Sequence, residues 1–180
     1  MSYRHPTLLV LALAALVAPT ALRAQASQDL TDPEVAHVAV TANTIDIDAA
    51  KYAQTRTSNA EVKKFAGLMI TDHGAVNAQA VALAGKLGVT PKDNAVSQSL
   101  LAGAAKAHEA LVPLKDTAFD KAYMEREVAY HQAVLDALDQ LLIPTTDNAE
   151  LKKLLVAVRP AFAAHLEHAR MLSASLNKGM

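Results

Sequence analysis

The sequence predicts an all-α protein built as a four-helix bundle. Apolar residues recur at spacings of three and four along four long segments, which is the period of a helix with one buried face. Aromatic residues make up only 4% of the 180 residues, and small and aliphatic side chains dominate the apolar 52%. Such side chains favour helices that pack closely side by side. No strand-like alternation, internal repeat or low-complexity tract interrupts this pattern.

The first 26 residues are predicted to be a signal peptide. After a short basic start, residues 8–22 form an apolar run, which is shorter than the roughly 20 residues that a membrane-spanning helix needs. Ala24 and Ala26 fit the small residues of a cleavage site, so Ser27 would begin a domain of residues 27–180. Cleavage after Ala24, and retention of the run as an anchor, are the alternatives. We expect an exported, periplasmic protein, with cell-surface association left open.

Composition excludes several classes of protein. The chain has no cysteine, so it has neither a disulfide framework nor a lipid-anchoring cysteine. Without Arg4 and Arg23 of the leader, 15 basic residues stand against 18 acidic ones, a formal charge of −3. This balance lacks the basic patch expected of a nucleic-acid-binding protein. No nucleophile triad, phosphate-binding glycine loop or thiol centre is found.

Capping patterns predict the first pair of helices. A Thr-x-x-Glu pattern begins at Thr31, and the apolar stripe that follows extends to about Arg56. A Ser-x-x-Glu pattern at Ser58 predicts the start of the second helix, which Gly88 should end. The very short turn between them makes the two helices antiparallel neighbours.

The second pair follows a long connection. Residues 89–116 are predicted to be a crossover that contains a shorter helix at about 96–111. Asp116 is predicted to cap the third long helix, which should end just before Pro144, and Asp147 to cap the fourth.

Two antiparallel helix hairpins joined by one long crossover that contains a short helix form the connectivity of ferritin-like bundles. Inside the fourth helix, Pro160 should bend the axis because it removes one hydrogen bond.

Ionisable side chains fall on the predicted buried stripe of all four helices: Asp46 on the first, His73 on the second, Glu127 and His131 on the third, and His165 and His168 on the fourth. Counted from the turn that joins each hairpin, Asp46 and His73 lie within about 5 Å in height, and Glu127 and His165 within about 3 Å. We therefore expect these groups to meet in the middle of one core.

Imidazole and carboxylate together suit zinc, copper, iron or manganese, so the candidate metal ligands are Asp46, His73, Glu127, His131 and His165. Asp72, which could orient the His73 ring, and His168 are the candidates for a supporting role. The alternative is a polar layer that satisfies itself by hydrogen bonds and fixes helix register without a ligand.

Other polar residues are expected to lie outside this cluster. The Glu-x-x-His pattern that ends at His37 is set aside because His37 falls on the outer face. His108 lies in the crossover and should be exposed. Tyr123 and Tyr130 are interpreted as packing residues.

The string Val62-Lys63-Lys64-Phe65-Ala66-x-x-Met69-x-x-Asp72-His73 resembles the bacterial family described as domain of unknown function 4142. Weaker matching features are residues 46–53, Phe119-Asp120-x-x-Tyr123, His131, and Pro160 followed by His165-Leu166. The resemblance covers about residues 32–176 and implies a ferritin-like fold and export. It implies no established biochemical role.

The chain departs from related patterns at four positions. The family usually has glutamate where this chain has Asp46 and Gln132. Ile70 and Phe162 stand three residues before His73 and His165, where ferritin-like di-iron proteins carry carboxylates.

Three functions are compatible with the sequence. The leading hypothesis is an exported periplasmic binding or stress-associated protein, with a transition metal (zinc, copper or iron) held in the middle of the bundle. A metal-dependent oxidoreductase acting on oxygen or peroxide is the second, although the residues at positions 70 and 162 argue against it. A structural or interaction module without metal is the third. Enzymatic activity, a protein partner and a homo-oligomeric state are left open.

Overall fold

A computed structural model describes residues 30–178, and the predicted signal peptide lies outside these residues. The described chain is all-helical. Its helices are α1 (Asp32–Arg56), α2 (Ala60–Leu87), α3 (Ala95–Leu111), α4 (Asp116–Ala137), a π-helical turn (Leu138–Leu142), α5 (Ile143–Thr145) and α6 (Ala149–Lys178). None of the helices in this part of the chain combines the length and apolar character that a membrane span requires.

The four long helices form a closed ring in which α1 packs on α2, α2 on α6, α6 on α4, and α4 on α1. The α1–α2 and α4–α6 pairs share the most extensive contacts, as the short turns between them predict. Helix α3 lies across the outside, mainly against α1. The predicted all-α, helical-bundle fold is therefore confirmed for the described residues.

The start of α1 and the end of α2 follow the predicted signals. The Glu34 carboxylate accepts hydrogen bonds from the backbone N–H and the hydroxyl of Thr31, at 3.0 and 2.7 Å. At the end of α2, Gly88 has φ +63°, a left-handed conformation in which glycine carries no Cβ penalty.

Two predicted caps are displaced by one residue. Asn59, and not Ser58, accepts hydrogen bonds from the first N–H groups of α2. Asn148, and not Asp147, does the same for α6. In each pair both residue types cap helices well, so the helix begins at whichever one the packing of the bundle brings into register.

The third long helix also differs from the prediction at both of its ends. Lys115, and not Asp116, occupies the N-cap position, and Asp116 has a positive φ of 50°. Helix α4 ends at Ala137, and the helical path continues through the π-helical turn into α5, which contains Pro144. The Ile143 N–H donates to the Leu138 carbonyl in the π-helical turn, so the bonding pattern is already shifted where Pro144 lacks a donor. Pro160 lies within α6, which continues across it.

Two apolar cores lie at the two ends of the bundle. One core joins the start of α1 to the end of α4 and most of α6, through residues such as Val38, Leu138 and Leu155. The other core joins the end of α1 to the starts of α2 and α4, through residues such as Ala53, Phe65 and Phe119. The four long helices are thus apolar toward both ends, and the polar residues that lie between the two cores are described below.

We predict that Asn148→Ala lowers the free energy of unfolding by about 1 kcal/mol because two N–H groups at the start of α6 lose their acceptor. Asp147 is exposed, so Asp147→Ala should cost less than about 0.5 kcal/mol. Urea denaturation of both variants measures the two values. A larger loss for Asp147→Ala would show that Asp147 is the cap.

Candidate metal centre

A layer of buried polar residues separates the two apolar cores. Each long helix contributes to it at the position where its residues change from one core to the other: Asn43 and Asp46 from α1, His73 from α2, Glu127 and His131 from α4, and His165 from α6. All six side chains are buried, and Asp46 and Glu127 are fully so. The structure therefore brings together the five predicted ligands at one depth.

His73 is oriented by Asn43. Its Nδ1 lies 2.7 Å from the Asn43 amide oxygen, while the Asn43 amide nitrogen donates to the Ala39 carbonyl at 2.8 Å. Because that amide oxygen only accepts, Nδ1 of His73 carries the proton. Nε2 then has a free lone pair, and it lies 3.1 Å from Oδ2 of Asp46. Two acceptors face each other there, an arrangement that a cation between them would stabilise.

The other two imidazoles are held in the same manner. Nδ1 of His131 donates to the backbone carbonyl of Glu127 at 3.0 Å. Nε2 of His165 donates to the Asp72 carboxylate at 2.9 Å. Nε2 of His131 and Nδ1 of His165 are buried and have no hydrogen-bond partner. Each of the three rings thus has one nitrogen fixed by an acceptor and one nitrogen with a free lone pair.

The three imidazoles form a nearly equilateral triangle. Ring centroids are 5.5 Å apart for His73 and His131, 5.3 Å for His73 and His165, and 5.5 Å for His131 and His165. Each ring offers a ligand atom, and these three atoms lie within 4.8 Å of one another. A second group of ligand atoms, from Asp46, Glu127 and His131, meets the same limit. Imidazole nitrogens at this spacing can hold a transition-metal ion.

Burial and neighbouring charges set the protonation of the cluster. Burial lowers the pKa of His73 to about 4 and also lowers the pKa of His131, so both rings are neutral at neutral pH. Burial would raise the pKa of Asp46, but its interactions with His73 and Arg126 outweigh burial and lower the pKa. Burial and the Asp46 charge together raise the pKa of Glu127 well above its usual range. Neutral imidazoles beside an ionised carboxylate form a suitable set of ligands for a cation.

Phe162 and an apolar cavity adjoin the centre on one side. The Phe162 ring stacks on His73 with centroids 4.7 Å apart and planes 16° from parallel. Beyond it, a cavity of about 130 Å³ extends through the apolar core from His73 toward Leu87 and Leu151. Phe162 thus covers His73 at the position where a di-iron protein would have a carboxylate.

The supporting residues differ from the prediction. The Asp72 carboxylate accepts a hydrogen bond from His165 and not from His73. His168 is half-buried, and its ring meets Phe65 edge-on with centroids 5.2 Å apart, so it packs and is not a supporting residue of the cluster.

His37 and His108 lie outside the cluster as expected, whereas the packing residues Tyr123 and Tyr130 adjoin it. His37 is half-buried near Asp93, at 3.8 Å. His108 is exposed and packs edge-on against Tyr52. Tyr123 is fully buried in one of the apolar cores, and the hydroxyl of Tyr130 donates to the Ala42 carbonyl at 2.7 Å.

The sequence analysis missed Asn43 and Arg126. Asn43 lies three residues before Asp46, so the helical period could have identified it as a second polar residue on the same face. Arg126 gave no such signal because it is next to Glu127 in the helix, so its Cα–Cβ bond points away from the core. Its long side chain nevertheless reaches inward, and Nη1 donates to Asp46 Oδ1 at 2.9 Å and to Glu127 Oε1 at 2.5 Å.

The fold and the polar layer define a helical-bundle protein with a buried cluster of histidines and carboxylates. A family model described as domain of unknown function (DUF4142) matches residues 17–172, and the chain belongs to that family. No curated protein matches the chain.

A solved structure described as CopM in the Cu(II)-bound form is similar to this chain. The TM-score is 0.61 and the sequence identity 15%, and the match covers 81% of this chain and 97% of that one. At this identity the likeness establishes a shared helical fold.

We predict that His73 makes the metal-free protein sensitive to acid. The unfolded chain protonates this ring near pH 6.5 and the folded chain near pH 4, so the unfolded state binds more protons between these values. The contribution of the neutral His73 ring to the free energy of unfolding is fully present above about pH 6.5. It should fall by about 3 kcal/mol as the pH is lowered to about 4. Glu127, whose pKa is raised, contributes with the opposite sign.

Urea denaturation of the native chain and of His73→Gln, in the presence of a chelator, measures this effect. The difference in unfolding free energy between the two should shrink as the pH falls through that window. His108→Gln is the matched control for the loss of one imidazole, since the His108 ring is exposed and lies outside the buried cluster. A constant difference between the native chain and His73→Gln would contradict the prediction.

Proposed function

We propose that this protein is an exported metal-binding protein that holds a copper ion between His73, His131 and His165. Two observations carry the proposal: the three buried imidazoles converge, and each has one nitrogen with a free lone pair and no hydrogen-bond partner. Buried polar groups in folded proteins are nearly always paired. A bound cation would satisfy all three nitrogens at once.

The hydrogen bonds of the cluster support binding over a purely structural layer. A layer that only fixed helix register would pair nearly all of its buried polar atoms. Here each of the three imidazoles donates from one nitrogen, to Asn43, to the Glu127 carbonyl or to Asp72, and the other nitrogen has no hydrogen-bond partner. This pattern is the one in which metal-binding histidines are oriented by their surroundings.

Copper is the ion we propose because imidazole nitrogen suits it and because divalent copper binds such ligands more tightly than its first-row neighbours. The solved structure that shares the fold is described as Cu(II)-bound, which supports the same choice. Zinc is the nearest competitor. Asp46, whose Oδ2 lies 3.1 Å from His73 Nε2, supplies a negative charge beside the ion.

We propose binding and not catalysis. Ile70 and Phe162 replace the carboxylates that an oxygen-activating di-iron centre would need, and Phe162 covers His73. Within the ferritin-like arrangement that we propose for the four long helices, the ion would lie in the bundle core. The apolar leader of residues 8–22 supports export to the periplasm, where a binding protein could hold copper under metal stress.

We predict that the chain beginning at Ser27 binds one copper ion, and that His73→Ala, His131→Ala and His165→Ala each weaken binding at least about a hundredfold because each removes a ligand. Elemental analysis of the loaded protein gives the stoichiometry, and calorimetric titration gives the affinity. His108→Ala is the control: it removes one exposed imidazole, and copper binding should be unchanged. Absence of stoichiometric copper and zinc after loading would reject the proposal and favour the structural module.

We further predict that Asn43→Ala weakens copper binding by about 10- to 100-fold because His73 loses the acceptor that fixes its ring. The same titration measures the change. Asn77→Ala is the control, since Asn77 also lies at the α1–α2 contact but donates to the Thr44 hydroxyl. Equal affinity for Asn43→Ala and the native chain would show that the hydrogen bond does not orient a ligand.

A further inference from the structure

The cluster contains two overlapping sets of candidate ligands that share His131. The first set is nitrogen-rich and consists of His73, His131 and His165. The second is oxygen-rich, since it joins His131 to the carboxylates of Asp46 and Glu127. Oδ2 of Asp46 and Oε2 of Glu127 are buried without a hydrogen-bond partner. The oxygen-rich half would suit harder ions such as manganese, which prefer carboxylate ligands.

Arg126 occupies this oxygen-rich half. Its Nη1 donates to Oδ1 of Asp46 at 2.9 Å and to Oε1 of Glu127 at 2.5 Å. One oxygen of each carboxylate is thereby committed to a guanidinium, which stays protonated under all physiological conditions. A permanent positive charge thus lies beside both acidic side chains, in contact with one oxygen of each.

The position of Arg126 is built into the fold. Its guanidinium carbon lies 4.3 Å from the centroid of the Tyr130 ring. The Tyr130 hydroxyl is in turn fixed by the Ala42 carbonyl at 2.7 Å. The Arg126 side chain is only 11% exposed, so its two carboxylate contacts are largely shielded from water and salt.

We propose that Arg126 determines which ion the centre accepts, by offsetting the negative charge of the acidic half so that the histidines are the main ligands. This inference rests on the proposed copper site. Arg126 acts as an internal counter-ion: it neutralises the acidic half and repels a second cation. The centre therefore takes nitrogen-preferring ions, copper and zinc, and excludes manganese.

The test compares two ions in the full mature chain. Binding of Mn²⁺ is followed by loss of the electron paramagnetic resonance signal of the free ion, and binding of Zn²⁺ by calorimetric titration. The native chain should bind Zn²⁺ and leave the Mn²⁺ signal unchanged. Arg126→Gln should raise the Mn²⁺ affinity at least about tenfold and change the Zn²⁺ affinity by less than about threefold, because only the carboxylates are released.

Two further variants sharpen the comparison. Arg126→Gln combined with Glu127→Gln should lose the gained Mn²⁺ affinity because the double variant lacks the released carboxylate. Arg170→Gln is the matched control: Arg170 is an exposed arginine that bonds Gln132, and its loss should leave both ions unaffected. Should Arg126→Gln fail to fold, Arg126→Met keeps most of the aliphatic stem. Arg126 borders an open groove between α3 and α4 that is lined mainly by small residues. The Arg126→Met variant should show the same gain in Mn²⁺ affinity.

The outcomes separate this inference from the proposed function. A native chain that takes neither copper nor zinc rejects the metal site itself. A native chain that takes zinc but binds Mn²⁺ equally well overturns the role of Arg126 without any variant. So does a folded Arg126→Gln or Arg126→Met chain whose Mn²⁺ affinity is that of the native protein.

Discussion

A fully buried carboxylate, Asp46, is the constraint on which the middle of this bundle depends. Its two oxygens lie 3.1 Å from His73 and 2.9 Å from Arg126, which belong to two other helices. An isolated buried charge would cost several kcal/mol, so the fold must bring a compensating charge to it, which Arg126 supplies. Helix α4 therefore has to pack against α1 at this height, and His73, His131 and His165 lie at the same height.

The local structure at the ends of the helices sets this height. The turn between α1 and α2 is closed by the Asn59 cap, and the turn before α6 by the Asn148 cap. The Asp32 carboxylate joins both hairpins because it accepts from the backbone N–H groups of residues 147 and 148, at 2.9 and 3.0 Å. Because these hydrogen bonds fix the ends of the helices, an apolar core forms on each side of the polar layer. The layer is therefore positioned by packing above and below it.

The sequence was sufficient to predict the helices and the depth of the candidate site because both follow from counting. Spacings of three and four identify a buried face, and a rise of about 1.5 Å per residue places Asp46 beside His73 once the turn is known. Gly88 ended α2 as expected because few other residues adopt its backbone conformation.

The features that the sequence did not predict depend on the reach of side chains and on tertiary contacts, which counting residues along a helix does not reveal. Arg126 is turned away from the core at its Cα and enters it only through its length. The choice between Ser58 and Asn59, or between Asp147 and Asn148, depends on tertiary register and not on cap preference. The partner of Asp72 followed from the α2–α6 contact, so adjacency in sequence to His73 was misleading.

The three imidazoles are not equally protected from solvent. The acceptors that fix His73 and His131 are buried, whereas the side chain of Asp72, which fixes His165, is 40% exposed. Water and dissolved salt can compete for that carboxylate, since screening acts strongly on exposed charges. His73 and His131 are therefore held rigidly. His165 is anchored by a side chain at the surface of α2, where the cluster comes closest to the surrounding medium.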